Sequence, residues 1–224
     1  MKLALFDLDH TLLPIDSDYA WGQFTTRIGW TDPVDFTRRN DEFFAHYQAG
    51  TLDVHDYVRF AIEAVRKQGP EAAARAHDQF MAEVIGPNLL PQARELVESH
   101  RAAGDQVMII TATNEFVTRP IARAFGVDEL LAIELERGPD GWYTGEIRGT
   151  PSFREGKVTR LRQWLAERGL GWDDVDMTFY SDSTNDLPLL EKAHVPVATN
   201  PGAGLRAIAQ ERGWRILDLF PEHA

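Results

Sequence analysis

Apolar and polar positions fall into two textures along the chain. Leu3-Ala4-Leu5-Phe6 is a short apolar run that breaks abruptly into Asp7-Leu8-Asp9-His10-Thr11. A run of this length, bounded by polar residues, predicts a buried strand that delivers its carboxylates at its C-terminal end. From 16 to 85 the pattern turns helical, with apolar residues such as Tyr57, Phe60, Ile62 and Val65 at helical spacing. Gly29-Trp30-Thr31-Asp32-Pro33 and Gln68-Gly69-Pro70 interrupt it, so roughly four helices and no strand are expected there.

Beyond Pro87 and Pro91 helix and strand alternate. The pattern predicts a helix over 92–103, a strand over 106–110, a helix over 116–125 and an apolar stretch over 130–135. Gly138-Pro139-Asp140-Gly141 reads as a hairpin turn into Trp142-Tyr143-Thr144. A helix over 155–168, a strand over 176–180, a short helix over 187–192 and strands over 195–198 and 214–217 complete the series. Such alternation predicts a parallel sheet covered by helices on both faces, an α/β, Rossmann-like three-layer core. The helical block interrupts this series after its first strand. It therefore reads as an inserted all-helical cap over 15–86, with 1–14 and 87–224 forming the core.

Charge and composition narrow the classes of function. The 224 residues carry 23 Lys and Arg against 35 Asp and Glu, a net charge of −12. That balance argues against a nucleic-acid groove, which needs clustered cations, and against binding to an anionic membrane surface. The absence of cysteine excludes disulfides, a thiol nucleophile, thiolate zinc and iron–sulfur clusters. Asp7 and Asp9 cut short the N-terminal apolar run, and no stretch approaches the roughly 18 apolar residues of a membrane span. A soluble, cytoplasmic protein is expected, as a monomer or homodimer.

The candidate chemistry lies where the strands end. The first strand ends in Asp7 and Asp9, the second in Thr111-Ala112-Thr113-Asn114, and a later one in Ser181-Asp182-Ser183-Thr184-Asn185-Asp186. In an open parallel sheet these clusters share one rim, where ligands bind near the topological switch point. Four carboxylates there repel one another unless a cation joins them. Oxygen ligands without His or Cys favour Mg²⁺, held by one or two carboxylates with water and phosphate completing the shell. Thr111 and the amides after it precede a helix and so form a ready site for phosphate oxygens. Lys157 adds a fixed positive charge. Taken singly, Asp182 and Asp186 also suit a helix N-cap and first turn, Thr111 a turn hydroxyl, and Lys157 a solvated surface position.

Asp7-Leu8-Asp9-His10-Thr11-Leu12, Thr111, Lys157 and Ser181 to Asp186 resemble, in order, the four motifs of the haloacid dehalogenase-like hydrolases. The helical insertion resembles the cap of the phosphoserine phosphatase-like branch, subfamily IB. The resemblance implies Asp7 as nucleophile forming an aspartyl phosphate, and Asp9 as the acid and then the base. It implies Mg²⁺ on Asp7, the Asp9 carbonyl and Asp182. Asp186 would orient a metal-bound water or balance Lys157. Thr111, the amides of Ala112 and Thr113, Asn185 and Lys157 would bind phosphate, with Arg154 a substitute for Lys157. Two positions depart from the family pattern. His10 stands where many relatives have Gly or Ser, and Thr-Ala-Thr-Asn replaces the Ser-Gly-Gly of phosphoserine phosphatases.

The segment Gly50-Thr51-Leu52-Asp53-Val54-His55-Asp56-Tyr57-Val58-Arg59 resembles the branch's cap signature. It implies Arg59 as a clamp on a substrate carboxylate and Asp16 as the partner of its amine. Read without the family, Arg59 is a helix-surface arginine and Asp16 an N-cap. The aromatics Tyr19, Trp21, Phe24, Phe43, Phe44 and Tyr47 form either a stacking wall for a substrate ring or core. The expected substrate is a small phosphorylated metabolite, an amino-acid or amino-alcohol phosphate such as phosphoserine, with histidinol phosphate the nearest rival. Phosphotransfer to another acceptor, or a phosphonate or nucleotide substrate, uses the same machinery. Outside enzymes, a phospho-acceptor signalling module and a catalytically dead phosphate-binding protein are the competing classes. Asp9 and the roughly 70-residue cap weigh against the signalling module.

Overall fold

The computed structural model describes residues 1–49 and 51–221. Gly50, the first residue of the cap segment quoted above, and residues 222–224 lie outside them.

A six-stranded parallel sheet organises the core, in the order β3-β2-β1-β6-β7-β8. Its strands are β1 (Lys2–Phe6), β2 (Gln106–Asn114), β3 (Glu129–Ile133), β6 (Asp176–Ser181), β7 (Val195–Thr199) and β8 (Arg215–Leu217). β1 lies at the centre, with Leu5 opposite Met108 on one side and Phe179 on the other. Its alternate residues feed two separate cores. Leu3 and Leu5 pack with Met108, Ile110, Met177 and Phe179, whereas Ala4 and Phe6 pack with Val107, Ile109 and Tyr180. A strand hidden on both faces is apolar at every position, which is why the run was visible.

Between β1 and the rest of the sheet the chain forms α1 (Ser17–Arg27), α2 (Pro33–Ala49), α3 (Val54–Gln68) and α4 (Pro70–Phe80). A wide π turn at Met81–Ile85 and a single turn, α5 (Gly86–Asn88), return it to the core. Asp16 and Asp53 cap α1 and α3 by accepting amide hydrogen bonds, and Pro33 and Pro70 open α2 and α4. Gly69, at φ 76°, supplies the left-handed backbone between α3 and α4. The helices do not bury a core of their own. Trp21, Phe24, Val58, Ile62 and Phe80 belong to the same apolar cluster as Ala4 and Phe6, so the insertion is continuous with one face of the sheet.

The helices α6 (Pro91–Ala102), α7 (Glu115–Ala124), α8 (Glu155–Ala166), α9 (Leu187–Leu190) and α10 (Ala203–Arg212) connect the remaining strands. Several elements differ from the pattern reading. β2 continues four residues past the apolar run, through the polar Thr111 to Asn114. The stretch over 130–135 divides: β3 stays in the sheet, and β4 (Leu135–Arg137) turns out to pair antiparallel with β5 (Tyr143–Ile147). α10 was not anticipated, because its buried stripe is only Leu205 and Ala209 and its first turn holds Gly204.

Candidate active site

The polar ends of β1, β2 and β6 meet above the centre of the parallel sheet, where the strand order runs outward from β1 to either side. Lys157, in the first turn of α8, projects into this point. It is 2% exposed, and its Nζ lies 2.7 Å from Asp7 Oδ1 and 2.7 Å from Asp186 Oδ2. Burial alone would lower the amine's pKa, but the charges of Asp186 and Asp7 outweigh it and hold the lysine above its usual range. Gly156 makes this entry possible: a Cβ there would stand 1.9 Å from the Pro151 carbonyl oxygen. Ser181 donates to Asp186 Oδ2 at 2.7 Å, which fixes the second partner. The geometry thus sets Asp186 against Lys157.

Asp182 faces Asp7 across Thr11. The Thr11 hydroxyl is 3.2 Å from Asp182 Oδ1 and 3.5 Å from Asp7 Oδ2, and it accepts the Asp182 amide at 3.1 Å. Burial pushes the Asp7 carboxyl up, Lys157 pulls it back and Asp186 adds repulsion, leaving it at about 6. Burial and the charges of Asp7 and Asp186 hold Asp182 well above the carboxylate range. Asp7 Oδ2 and Asp182 Oδ1, which share Thr11 and not Lys157, are oxygen donors of the kind a hard divalent cation takes.

Asp9 is held differently. The Ser17 amide donates to Oδ1 at 2.8 Å and the Thr113 hydroxyl to Oδ2 at 2.8 Å. Burial, then the charge of Asp16, raises its carboxyl to about 8, toward the neutral form. The turn that carries Asp9 also contains His10 at φ 57°, with its carbonyl accepting from Asn200 Nδ2 at 2.9 Å. A left-handed backbone there is one that glycine also adopts without strain.

The second motif acquires meaning from these contacts. Thr113 positions Asp9, and the Thr113 amide donates to Thr111 Oγ1 at 3.1 Å. The Thr113 amide is therefore engaged locally and does not point free toward a ligand, contrary to the expectation for it. Ala112 lines the cavity beside Thr111. Asn114 caps α7 through the Val117 amide and extends its Nδ2 to Asp18 Oδ1 at 3.4 Å. Asn185 accepts from Arg154 Nε at 3.1 Å and donates to the Tyr47 hydroxyl of α2, so helix cap and core meet at the expected phosphate pocket.

Above the carboxylates opens a cavity of about 1010 Å³. Asp16 lines it, although Asp16 Oδ1 already accepts the amides of Asp18 and Tyr19 at 2.9 Å each. Of the expected aromatic wall, Tyr19, Phe43, Phe44 and Tyr47 line the cavity, whereas Trp21 and Phe24 are buried in the apolar core. Arg59 does not join the site, which corrects the carboxylate-clamp reading. It is exposed, its Nε and Nη2 each lie 2.8 Å from Glu146 of β5, and its Nη1 lies 2.7 Å from Asp56. Thr11, Ser17, Ser181, Thr113, Asn114 and Asp18 were not singled out for these roles. Thr11, Thr113, Asn114 and Asp18 act across long sequence separations that no local pattern reports, whereas Ser17 and Ser181 act over 8 and 5 residues.

Known proteins resemble this chain in sequence and in fold. The family model for haloacid dehalogenase-like hydrolases matches residues 4–191. A histidinol-phosphatase of Neisseria meningitidis serogroup C is 46% identical over 97% of this chain and 99% of its own length. A crystal structure of a Bordetella pertussis Tohama I protein of unknown function superposes with a TM-score of 0.92 at 52% identity, covering 98% of this chain and 99% of that one. A substrate-bound phosphoserine phosphatase shares the fold at 18% identity and a TM-score of 0.66, over 96% of this chain and 92% of its own.

Proposed function

The chain belongs to the haloacid dehalogenase-like hydrolase family, and on that footing we propose that it is a Mg²⁺-dependent phosphomonoesterase working through an aspartyl phosphate on Asp7. The observation that carries the reading is the pairing of two differently tuned carboxyls at one cavity floor. Asp7 is fixed against Lys157, while Asp9, two residues on, is held by Ser17 and Thr113 and has its carboxyl raised by burial.

A carboxylate attacks a dianionic phosphate only when positive charge screens both partners. Lys157 supplies part of that screening and fixes the orientation of Asp7. Asp9 then gives its proton to the departing alkoxide, and the resulting carboxylate takes one from the water that cleaves the aspartyl phosphate. Thr113 and Ser17 hold Asp9 in place through both steps. The side chains of Asp7 and Asp182, with the Asp9 carbonyl, would hold Mg²⁺. Among the described residues no three acidic or imidazole groups form a metal cage; water and phosphate would supply the remaining ligands. When bound, the ion supplies positive charge to the phosphoryl oxygens. Thr111 and Asn185 complete the phosphate pocket.

The substrate we favour is a phosphorylated amine of the histidinol phosphate type. The arginine expected to grip a carboxylate is bound to Glu146 outside the cavity, and the 46% identical relative is a histidinol-phosphatase. Phosphoserine, which needs that grip, falls behind. Phosphate release from histidinol phosphate, phosphoserine and para-nitrophenyl phosphate, with and without Mg²⁺, tests the reading. Turnover should need the ion and favour histidinol phosphate. No release from any of the three with Mg²⁺ present would return the protein to the non-enzymatic classes.

A further inference from the structure

Asp18 is only 8% exposed, yet it lines the cavity above the reacting centre. Asn114 Nδ2 approaches its Oδ1 at 3.4 Å, and the Tyr57 hydroxyl of α3 donates to it. Among the described residues no lysine, arginine or histidine pairs with this carboxylate. Burial, then the charge of Asp16, raises the group to about 7. An asparagine would accept the same hydrogen bond from Tyr57 without any cost of ionisation, so packing alone does not call for an acid here.

The charge inventory of the cavity points the same way. Of its described lining residues, Lys157 alone carries a permanent positive charge, and it is committed to Asp7 and Asp186. Tyr19, Phe43, Phe44 and Tyr57 line the same space, and aromatic faces attract cations. The position of Asp18 is also tied to the chemistry. Asn114, which reaches it, follows Thr113, which holds Asp9, so consecutive residues at the end of β2 set both carboxyls.

We infer that Asp18 is the specificity-determining residue of this cavity, binding the ammonium or imidazolium end of a phosphorylated amine whose phosphoryl group lies at Asp7. The inference rests on the phosphomonoesterase reading of the same site. A substrate carrying a cation gains a charge-assisted partner and neutralises a buried charge, whereas an uncharged leaving group gains neither. A second carboxylate on the substrate meets the negative charges of Asp16, Asp18 and Asp41.

The test compares kcat/KM for histidinol phosphate with that for para-nitrophenyl phosphate in the wild type and in Asp18→Asn. Both substrates are read on one preparation, so their ratio does not depend on how much of it is folded. The ratio should fall on the order of 30-fold or more in the variant, chiefly through KM for the amine. A ratio that changes less than about threefold overturns the inference. Should the variant hydrolyse nothing, the wild type decides, through phosphoethanolamine against ethyl phosphate. A preference for the amine below about threefold overturns the inference there too, and one above about tenfold supports it. A wild type inert toward every phosphomonoester with Mg²⁺ present overturns the phosphatase reading and this inference with it.

Discussion

Replacing Lys157 with methionine removes one charge and little volume from the most constrained point of the site. The lysine side chain is 3% exposed, and the side chains of its partners Asp7 and Asp186 are 10% and 4% exposed. Deleting one member of such a group leaves uncompensated charge in the interior, and losses of about 3–5 kcal/mol are typical. Proton uptake limits the loss. An aspartate with an unfolded value of 3.8 can be kept neutral near pH 7 for about 4.4 kcal/mol, and near pH 5 for about 1.6 kcal/mol. The direction with pH follows. The Asp7 carboxyl is already raised to about 6, so its folded form is favoured at low pH and penalised as pH rises through that value. Losing the lysine raises the folded value further and steepens the penalty. Lys157→Met should therefore cost about 3–5 kcal/mol near pH 7 and only about 1–2 kcal/mol near pH 5. Urea denaturation at both pH values, in EDTA so that no divalent ion replaces the missing charge, measures the difference. A loss below about 1 kcal/mol near pH 7, or the same loss at both pH values, would refute the argument. The kcat for para-nitrophenyl phosphate with Mg²⁺ should fall about 10²- to 10³-fold in the same variant.

Three further outcomes are expected. Asp7→Asn should release no phosphate from any substrate while its circular dichroism matches the wild type, and turnover comparable to wild type in the purified variant would sink the aspartyl-phosphate mechanism. Arg59→Ala should leave kcat/KM for histidinol phosphate and phosphoserine within about twofold, because the exposed guanidinium is spent on Glu146 and Asp56; a tenfold rise in the phosphoserine KM would restore the clamp. Gly156→Ala places a methyl 1.9 Å from the Pro151 carbonyl and should cost about 1–3 kcal/mol in thermal unfolding. Since Lys157 is the next residue, kcat should drop as well, and a fully active, equally stable variant would show that the loop yields freely.

The parts of this site that were legible in the sequence are those encoded by one short segment each. β1 announces itself because Leu3 and Leu5 serve one core and Ala4 and Phe6 the other, so the apolar run stops only where the strand emerges at Asp7. The same contrast marks Asp182 after β6 and, less sharply, Thr111 in β2, whose last four residues remain in strand although the apolar pattern has ended. The illegible parts depend on contacts between distant segments. Thr11 meets Asp182 across 171 residues, and Asn114 meets Asp18 across 96. Thr11 and Asn114 both lie in motifs legible at strand ends, but nothing in those motifs tells which distant residue each one meets.

Arg59 shows the consequence for substrate. Its place in the cap segment matched a carboxylate clamp, but Glu146 lies 87 residues away on a hairpin that no feature of the cap foretells, and it takes the guanidinium with two hydrogen bonds. A motif at a strand end carries its chemistry with it because the sheet supplies the geometry. A cap residue has no such guarantee, since its orientation is decided by whichever charge the rest of the chain brings near. The same reasoning makes Asp18 informative: it faces the cavity with Asn114 and Tyr57 for partners and no cation. A buried charge that the fold leaves without a cation is one that a ligand can still satisfy.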